Sequence, residues 1–247
     1  MDWNKFLDEA CLKSNIENVK LSLEHVSKFL WLRSACLGGH KDLVLFMIEK
    51  GADDWNYGLR GACQGGHKDL VLFIIEKGAN NWDYGLHGAC QGGHKDLVLF
   101  MIEKGANNWN LGLFGACQRG HKNLALLMIE KGANCNHGLR GACYGGHKDL
   151  VLLMIEKGAD DWDKSMIDAY YGEHKDLVLF MIEKGANIND VDLSLSDDIL
   201  YLIQRGKITK FGKYHEIEKI WREWLRVARI ELNSVMIPDL AGIIATY

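Results

Sequence analysis

The chain has 247 residues, of which 48% are hydrophobic and 25% charged, a composition typical of a folded protein rather than a disordered one. Its net charge of −4 provides no global attraction to nucleic acid or to an anionic membrane. The first residues have no apolar core of a signal peptide, and no apolar run approaches the ~18 residues that a membrane span needs. We therefore expect a cytoplasmic protein whose seven cysteines are free thiols.

The predicted elements begin with a divergent helical unit over residues 1–27. Its Ala10-Cys11 pair matches a pair that recurs through the chain, beginning with Ala35-Cys36. An array of stacked units needs terminal units with a polar outer face. Five charged residues would provide that face: Lys5, Glu9, Lys13, Lys20 and Glu24.

Residues 28–190 contain six copies of a short repeat. The string Gly-His-Lys-Asp-Leu recurs with small changes at intervals of 27, 27, 27, 26 and 27 residues. Its histidines are His40, His67, His94, His121, His147 and His174. A fixed period in this range indicates stacked supersecondary units.

Each unit predicts two helices, as residues 57–81 illustrate. Leu59–Gln64 predicts a short first helix, and Lys68–Lys77 predicts a second that Gly78 ends in a left-handed cap. The run Leu70–Ile75 is apolar nearly all round, so neighbouring units must cover it. A buried strand would show the same run, but the flanking Asp, Glu, Lys and Gly favour a helix. Because such short helices are unstable alone in water, the stack is the predicted folding unit.

These residues resemble ankyrin repeats. The ankyrin pattern contains a Leu, an Ala pair, Gly-His, an apolar helix and a closing Gly-Ala-Asp/Asn turn. Leu59, Ala62-Cys63, Gly66-His67 and Gly78-Ala79-Asn80 match it, and the match recurs six times over about Leu32 to Asn189. The short repeats are similar to those of proteins abundant in large DNA viruses, which would place the chain in the host-cell cytoplasm.

The repeat is shorter than the ~33 residues of an ankyrin repeat. The missing six residues lie between Gly78-Ala79 and Leu86, where the family has its β-hairpin finger. The resemblance therefore implies an all-α, ankyrin-like helical repeat solenoid with shortened or absent fingers. Residues 191–247 would add a partial repeat and a C-terminal capping helix.

The repeated histidines and cysteines predict structural roles. Equivalent atoms of stacked units lie ~8–10 Å apart, too far for successive histidines to share a zinc or for successive cysteines to form a disulfide. The resemblance implies that each histidine hydrogen-bonds to backbone between units. No nucleotide-binding or hydrolase motif occurs. We therefore expect no catalytic residue, no metal and no cofactor.

A tryptophan recurs after an Asp-Asp or Asn-Asn pair, in what we predict to be the loop between units: Trp55, Trp82, Trp109 and Trp162. In the 26-residue unit Cys135 takes its place. The indoles are predicted to pack over the next loop. The alternative is an aromatic stripe that stacks on ligands.

Positions that vary between otherwise identical units are the candidates for binding a partner. By resemblance to ankyrin repeats the two residues before each Gly-His face a concave groove, two further positions of the first helix also vary, and the changes cluster at Arg119, Tyr144 and Tyr171. Tyr and Arg are enriched at interface hot spots, although neutral drift of exposed positions would also produce variation. The candidate partner-binding residues are Arg119, Tyr144, Tyr171, Gln64, Gln91, Gln118, Tyr57, Tyr84, Phe114 and Arg140.

The tail predicts a helix over residues 214–235 with a basic face formed by Lys219, Arg222, Arg226 and Arg229. Eight Lys and Arg against three Glu over residues 205–229 raise the alternative of nucleic-acid binding. Ile237–Ile244 faintly resembles the opening of an F-box, which raises the alternative of an adaptor that recruits a ubiquitin ligase. The function we favour is a monomeric, non-enzymatic scaffold that binds a protein partner rather than nucleic acid or a membrane.

Overall fold

The computed structural model describes residues 2–187, a range that contains fourteen helices and no strand. The chain divides into two compact units, Met1–Met181 and Ile182–Tyr247. The predicted partial repeat and the predicted tail helix lie outside the described residues. The helices are α1 (Trp3–Leu12), α2 (Ile16–Ser22), α3 (Phe29–Gly38), α4 (Lys41–Glu49), α5 (Trp55–Gly65), α6 (Lys68–Glu76), α7 (Trp82–Gly92), α8 (Lys95–Glu103), α9 (Trp109–Gln118), α10 (Lys122–Glu130), α11 (Cys135–Gly145), α12 (Lys148–Glu156), α13 (Trp162–Tyr171) and α14 (Lys175–Glu183).

The helices pair in chain order, and the first helices of successive pairs form a row. From α1 through α12, each odd-numbered helix packs against the helix that follows it in the chain. Each odd-numbered helix from α1 to α11 also packs against the next odd-numbered one. The predicted all-α repeat solenoid is confirmed, and no hairpin finger is present within residues 2–187.

The first helix of each unit is longer than the sequence predicts. In the unit of α5 and α6 it begins at Trp55 rather than Leu59, because the side chain of Asp54 caps it by accepting a hydrogen bond from the Tyr57 amide at 3.4 Å. The prediction that Trp55, Trp82, Trp109 and Trp162 lie in the loop is therefore wrong. Each is the first residue of a helix and half-buried, and the preceding Asp or Asn is its N-cap.

The core is the same in each unit. Leu59, Ala62 and Cys63 of α5 are buried, as are Leu70, Val71 and Ile74 of α6. The second helix is not covered all round, however. One leucine in its middle stays exposed in several units, as Leu45, Leu72, Leu99 and Leu152. In the terminal unit, Lys5, Glu9, Lys13, Lys20 and Glu24 are all exposed, as predicted for a polar cap.

A side-chain staple joins the loops of successive units. Oδ1 of Asn56, the second residue of α5, accepts hydrogen bonds from the backbone amides of Asn80 at 3.0 Å and Asn81 at 2.9 Å. Asp83 and Asn136 make the same pair of bonds to the following loops, and Asn110 makes one. The staple satisfies amides at the helix N-terminus. It thus joins successive loops where the resemblance would place hairpin fingers.

The 26-residue unit loses its residue from this loop rather than from a helix. Asn134 caps α11 directly, and its amide donates at 2.7 Å to Asn110. One staple bond is lost, but Leu139, Ala142 and Cys143 keep the buried positions of the other units. The deletion therefore leaves the core register unchanged.

The Gly-Gly-His segment is a joint between units. Gly66 has a left-handed φ of +78°, and a methyl group on it would overlap the ring of His94 in the next unit. The predicted histidine-to-backbone bonds are confirmed: Nε2 of His67 lies 3.1 Å from the carbonyl oxygen of Leu37, and that of His121 lies 3.1 Å from Gln91. These two histidines thus bridge to the first helix of the preceding unit.

Removing one staple acceptor should weaken the stack measurably. We expect Asn56→Ala to lower the free energy of unfolding by about 1–2 kcal/mol, because two partly exposed amides lose their acceptor. Asn56→Asp is the matched control, since Asp83 makes the same two bonds in the next unit. Urea denaturation monitored by circular dichroism measures both. Equal loss in both variants would mean that the oxygen at this position contributes nothing.

Thiol reactivity should distinguish one cysteine from the other six. Six cysteines are buried, and burial raises the pKa of Cys63, Cys90 and Cys143 to about 12, so the reactive thiolate is scarce. Cys135 alone is partly exposed. We expect one fast-reacting thiol per native chain with a disulfide reagent and seven after denaturation. Cys135→Trp, the residue of the other units, should remove the fast phase, and several fast thiols in the native chain would contradict the packing.

Candidate protein-binding face

Three positions of each first helix share one face of the row. In α5 they are Tyr57, Arg60 and Gln64, which are three and four residues apart and therefore neighbours on the helix surface. We call the surface formed by these positions and their equivalents in α3 to α13 the first-helix face. It contains every candidate partner-binding residue except Arg119, which follows the last residue of α9.

The N-terminal part of the first-helix face is an ion-paired cluster. Nη1 of Arg33 donates to both carboxylate oxygens of Asp8, at 3.0 and 3.2 Å, across the junction of α1 and α3. Ser34 donates to the same carboxylate at 2.5 Å. Nη2 of Arg33 lies 3.4 Å from Oε1 of Gln64, so this predicted binding residue is engaged within the stack.

The central part is a chain of amide hydrogen bonds. Nη2 of Arg60 donates at 3.2 Å to Oε1 of Gln91, and Nε2 of Gln91 donates at 2.6 Å to Oε1 of Gln118. Gln91 is only 7% exposed. Gln91 and Gln118 are therefore occupied in joining three successive helices, which leaves them little capacity to bind a partner.

Aromatic rings line the N-terminal edge of the same face. The ring centroid of Tyr57 lies 5.3 Å from that of Phe29 and 5.5 Å from that of Tyr84, the latter in an edge-to-face arrangement. Both tyrosines are half-buried. Burial raises the pKa of Tyr57, and the neighbouring Tyr84 raises it further. The row holds its rings in place, as aromatic pairs at this separation attract one another.

The junction of α7 and α9 is wider than the junctions of α3 with α5, of α5 with α7 and of α9 with α11. At Gly61, Gly88 and Gly141 a methyl group would overlap the backbone carbonyl of the preceding first helix. At Gly115 a methyl carbon would lie 3.0 Å from the corresponding carbonyl oxygen, that of His87, which is farther than at the other three glycines. The ring of His87 lies between the two helices. His87 is 7% exposed, and its Nε2 has no hydrogen-bond partner.

Arg119 occurs at this same junction. It occupies the place of Gly65, Gly92 and Gly145, where a methyl group would overlap the carbonyl of the preceding first helix. A residue with a side chain fits there because α7 and α9 are farther apart. Sequence reasoning noted Arg119 as a variable position but gave no signal of the wider junction, which depends on His87 lying between the helices.

The C-terminal part of the face is exposed. Tyr144 is 39% and Tyr171 is 68% exposed, and Arg119 is also exposed. The Gln118 carbonyl lies against Gly145, and the Tyr144 carbonyl lies against Gly172. The ends of α9, α11 and α13 are thus adjacent, which brings these three residues to one side of the stack. We call them the exposed patch.

Arg140 and Phe114 are engaged within the stack. Nε of Arg140 donates at 2.7 Å to Asp168 of the next first helix. Burial raises the pKa of Asp168, and the hydrogen bond from Arg140 opposes that effect. Phe114 is half-buried, and its ring centroid lies 6.4 Å from that of His87. The alternative basic residues Lys219, Arg222, Arg226 and Arg229 lie outside the described residues.

Residues 59–138 match the family model described as ankyrin repeats in three copies. This segment is a run of ankyrin repeats. Among solved structures, the human ASB11 ankyrin repeat domain is 24% identical over 62% of this chain and 83% of that chain, with a TM-score of 0.37. That score is too low for the likeness to add to the fold assignment. No curated protein sequence matches the chain.

Ankyrin repeats are generally protein–protein interaction modules and generally non-enzymatic, and no catalytic family is indicated. Within residues 2–187, no three His, Cys, Asp or Glu side chains are grouped as metal ligands would be. No helix in that range is long and apolar enough to cross a bilayer.

The buried His87 should make the ankyrin stack acid-sensitive. Burial, together with the nearby positive charges of Arg60 and Arg33, lowers the pKa of His87 from 6.5 to about 3. Below pH 6.5 the unfolded chain takes up a proton here that the folded chain cannot, so stability falls as pH falls. Between pH 6.5 and about pH 4.5 this group should cost roughly 2 kcal/mol.

His87→Phe tests this, because Phe114 occupies the same position in the next repeat. We expect the difference in unfolding free energy between the variant and the wild type to grow steadily in favour of the variant on acidification. Urea denaturation at several pH values measures it, and titrations elsewhere cancel in the difference. A constant difference across that range would show that His87 is protonated freely in the fold.

Proposed function

We propose that the chain is a protein-binding scaffold whose main contact surface is the exposed patch of Arg119, Tyr144 and Tyr171. Ankyrin repeats are generally protein interaction modules, and Tyr144 and Tyr171 of this patch lie on the first-helix face at a position that differs between repeats. The observation that supports it most is the contrast in exposure along that face. Gln64, Gln91 and Gln118 join neighbouring helices, whereas the tyrosines at the equivalent positions of α11 and α13 extend to solvent.

The chemistry of the patch fits a protein surface. A tyrosine provides a large rigid ring with a polar end, and an arginine provides a planar donor group. These side chains dominate interface hot spots. Tyr170, whose ring centroid lies 5.8 Å from that of Tyr171, is 40% exposed and extends the aromatic area. The other two hypotheses, a ligase adaptor and a nucleic-acid binder, depend on residues 205–247 and stay predictions.

The test has two steps. Affinity capture from an extract of the native cell with the full chain, followed by mass spectrometry, identifies a candidate partner. Calorimetry with the purified partner then compares the wild type with the variant Arg119→Ala/Tyr144→Ala/Tyr171→Ala. We expect the triple variant to lose about 2–4 kcal/mol of binding free energy, with its helical signal and melting temperature nearly unchanged.

A matched control carries three exposed leucines of the second helices replaced, Leu72→Ala/Leu99→Ala/Leu152→Ala. It removes exposed apolar side chains from a different set of helices, and we expect it to bind the partner as the wild type does. Unchanged affinity in the triple patch variant, or an equal loss in the control, would remove the exposed patch as the contact surface.

A further inference from the structure

Three arginines occupy the same position in different first helices, and two of them have a carboxylate partner. Arg33 is paired with Asp8 at 3.0 Å, and Arg140 is paired with Asp168 at 2.7 Å. Arg60 is the third, and within residues 2–187 it has no ion pair. Its acceptor is the neutral amide oxygen of Gln91 at 3.2 Å.

The guanidinium of Arg60 is therefore only partly satisfied. Nη2 donates to Gln91, Nε is sealed from solvent without a partner, and Nη1 has no partner within the described residues. Nε2 of the nearby His87 is also buried without a partner. An anion that reached the Nη1–Nη2 edge would give Nη1 an acceptor and place a negative charge beside this partly buried guanidinium.

The surrounding charges favour an anion with a single negative charge. The charged groups near Arg60 are Arg33, which lowers its pKa, and Asp8, which raises it; burial is the largest influence and lowers it. Since Asp8 is already paired with Arg33, one positive charge remains uncompensated. Tyr57 and Tyr84, whose rings contact each other, also act on the guanidinium and raise the pKa of Arg60.

We propose that Arg60 binds the carboxylate of a Glu or Asp side chain of the protein partner, on the first-helix face beside Tyr57 and Tyr84. The carboxylate takes the place of the Gln91 amide on Nη2 and adds a second bond to Nη1, the bidentate geometry that Arg forms with carboxylates. The inference rests on the proposed function, since it assigns an acidic residue to the partner of the same face. Gln91 keeps its bond to Gln118 when the carboxylate enters.

Short peptides test the chemistry without a known partner. The full chain, labelled with ¹⁵N, is titrated with acetyl-Gly-Glu-Gly-amide while the Nε–Hε resonances of its arginines are recorded by NMR. The same titration uses the peptides with Gln or phosphoserine in place of Glu. We expect a saturable shift of the Arg60 resonance with the Glu peptide, with a Kd on the order of millimolar for a single ion pair, and no saturable shift with the Gln peptide.

Two variants and one control locate the shift. Arg60→Gln should abolish saturation at the remaining reporter resonances, and Arg60→Lys, which keeps the charge but loses the bidentate edge, should weaken it severalfold. Arg140→Gln is the matched control, because Arg140 is already paired with Asp168 and should not be the site. A Glu titration that does not saturate, or one that saturates equally in Arg60→Gln, would overturn the assignment, as would tighter binding of the phosphoserine peptide.

The two proposals can fail separately. With a partner in hand, we expect Arg60→Gln to reduce its affinity about tenfold or more. A partner whose affinity falls in the exposed-patch variant but not in Arg60→Gln would overturn the carboxylate site and leave the proposed function standing. If the Glu peptide binds saturably at Arg60 but the exposed-patch variant binds its partner with unchanged affinity, the exposed patch is overturned as the contact surface and the carboxylate site stands.

Discussion

Close contact between successive first helices is the constraint on which the rest of the structure depends. The space that a methyl group would need at Gly61 is filled by the carbonyl of Arg33, and at Gly88 by that of Arg60. A glycine inside a helix costs about 1 kcal/mol relative to alanine, so these helices are poor helices in isolation. They are stabilised because the glycine lets two backbones approach, which buries Leu59, Ala62 and Cys63 completely. Local instability and dependence on the neighbour are thus two consequences of one residue choice.

The same contact determines what the loops and the polar surface can do. With backbones this close, side chains on either side of the glycine meet across the junction, as Arg60 of α5 and Gln91 of α7 do. At the loop end, Asn56 reaches the amides of the next loop for the same reason. A staple of one side chain replaces a hairpin of six residues only because the units are already held at short range. The shortened repeat and the glycine contact are therefore related features.

Much of this could be predicted from the sequence, because repetition multiplies weak signals. A single Leu70–Ile75 run fits a strand or a helix, but six copies with the same caps favour the helix, and the structure agrees. The start of the first helix could not be placed, since Asp54-Trp55 reads equally well as a loop. Its position depends on the Asp54 side chain capping the helix. The Asn56 staple was also missed, although its position varies only between Asn and Asp in the five units that begin with α5 to α13, a restriction that signals a required oxygen acceptor.

The candidate site was harder to predict for a physical reason. Variation alone marks Gln91 and Tyr144 equally, because they occupy equivalent positions. Whether such a side chain turns inward or outward depends on its neighbour: Gln91 has Arg60 and Gln118 to bond, whereas Tyr144 extends to solvent. Only the structure distinguishes a residue that holds the stack together from one that is available to a partner. The seven predicted residues outside the exposed patch are half-buried or buried, and all seven are engaged with side chains of neighbouring units.

Repetition also creates an electrostatic problem, which within residues 2–187 is resolved only in α1 and α13, the two ends of the row of first helices. In an array of identical units, an arginine faces another arginine, since each unit presents the same side chain to the next. Asp8 in the first unit and Asp168 in α13 break the pattern and supply carboxylates to Arg33 and Arg140. Arg60 lies between Arg33 and His87, and neither can neutralise it. Burial holds His87 neutral, and the nearby guanidinium groups of Arg60 and Arg33 also disfavour its protonation, which would add a third positive charge. A partly buried positive charge without an anionic partner is costly unless another molecule supplies the anion. A partner bound on the first-helix face is in position to do so.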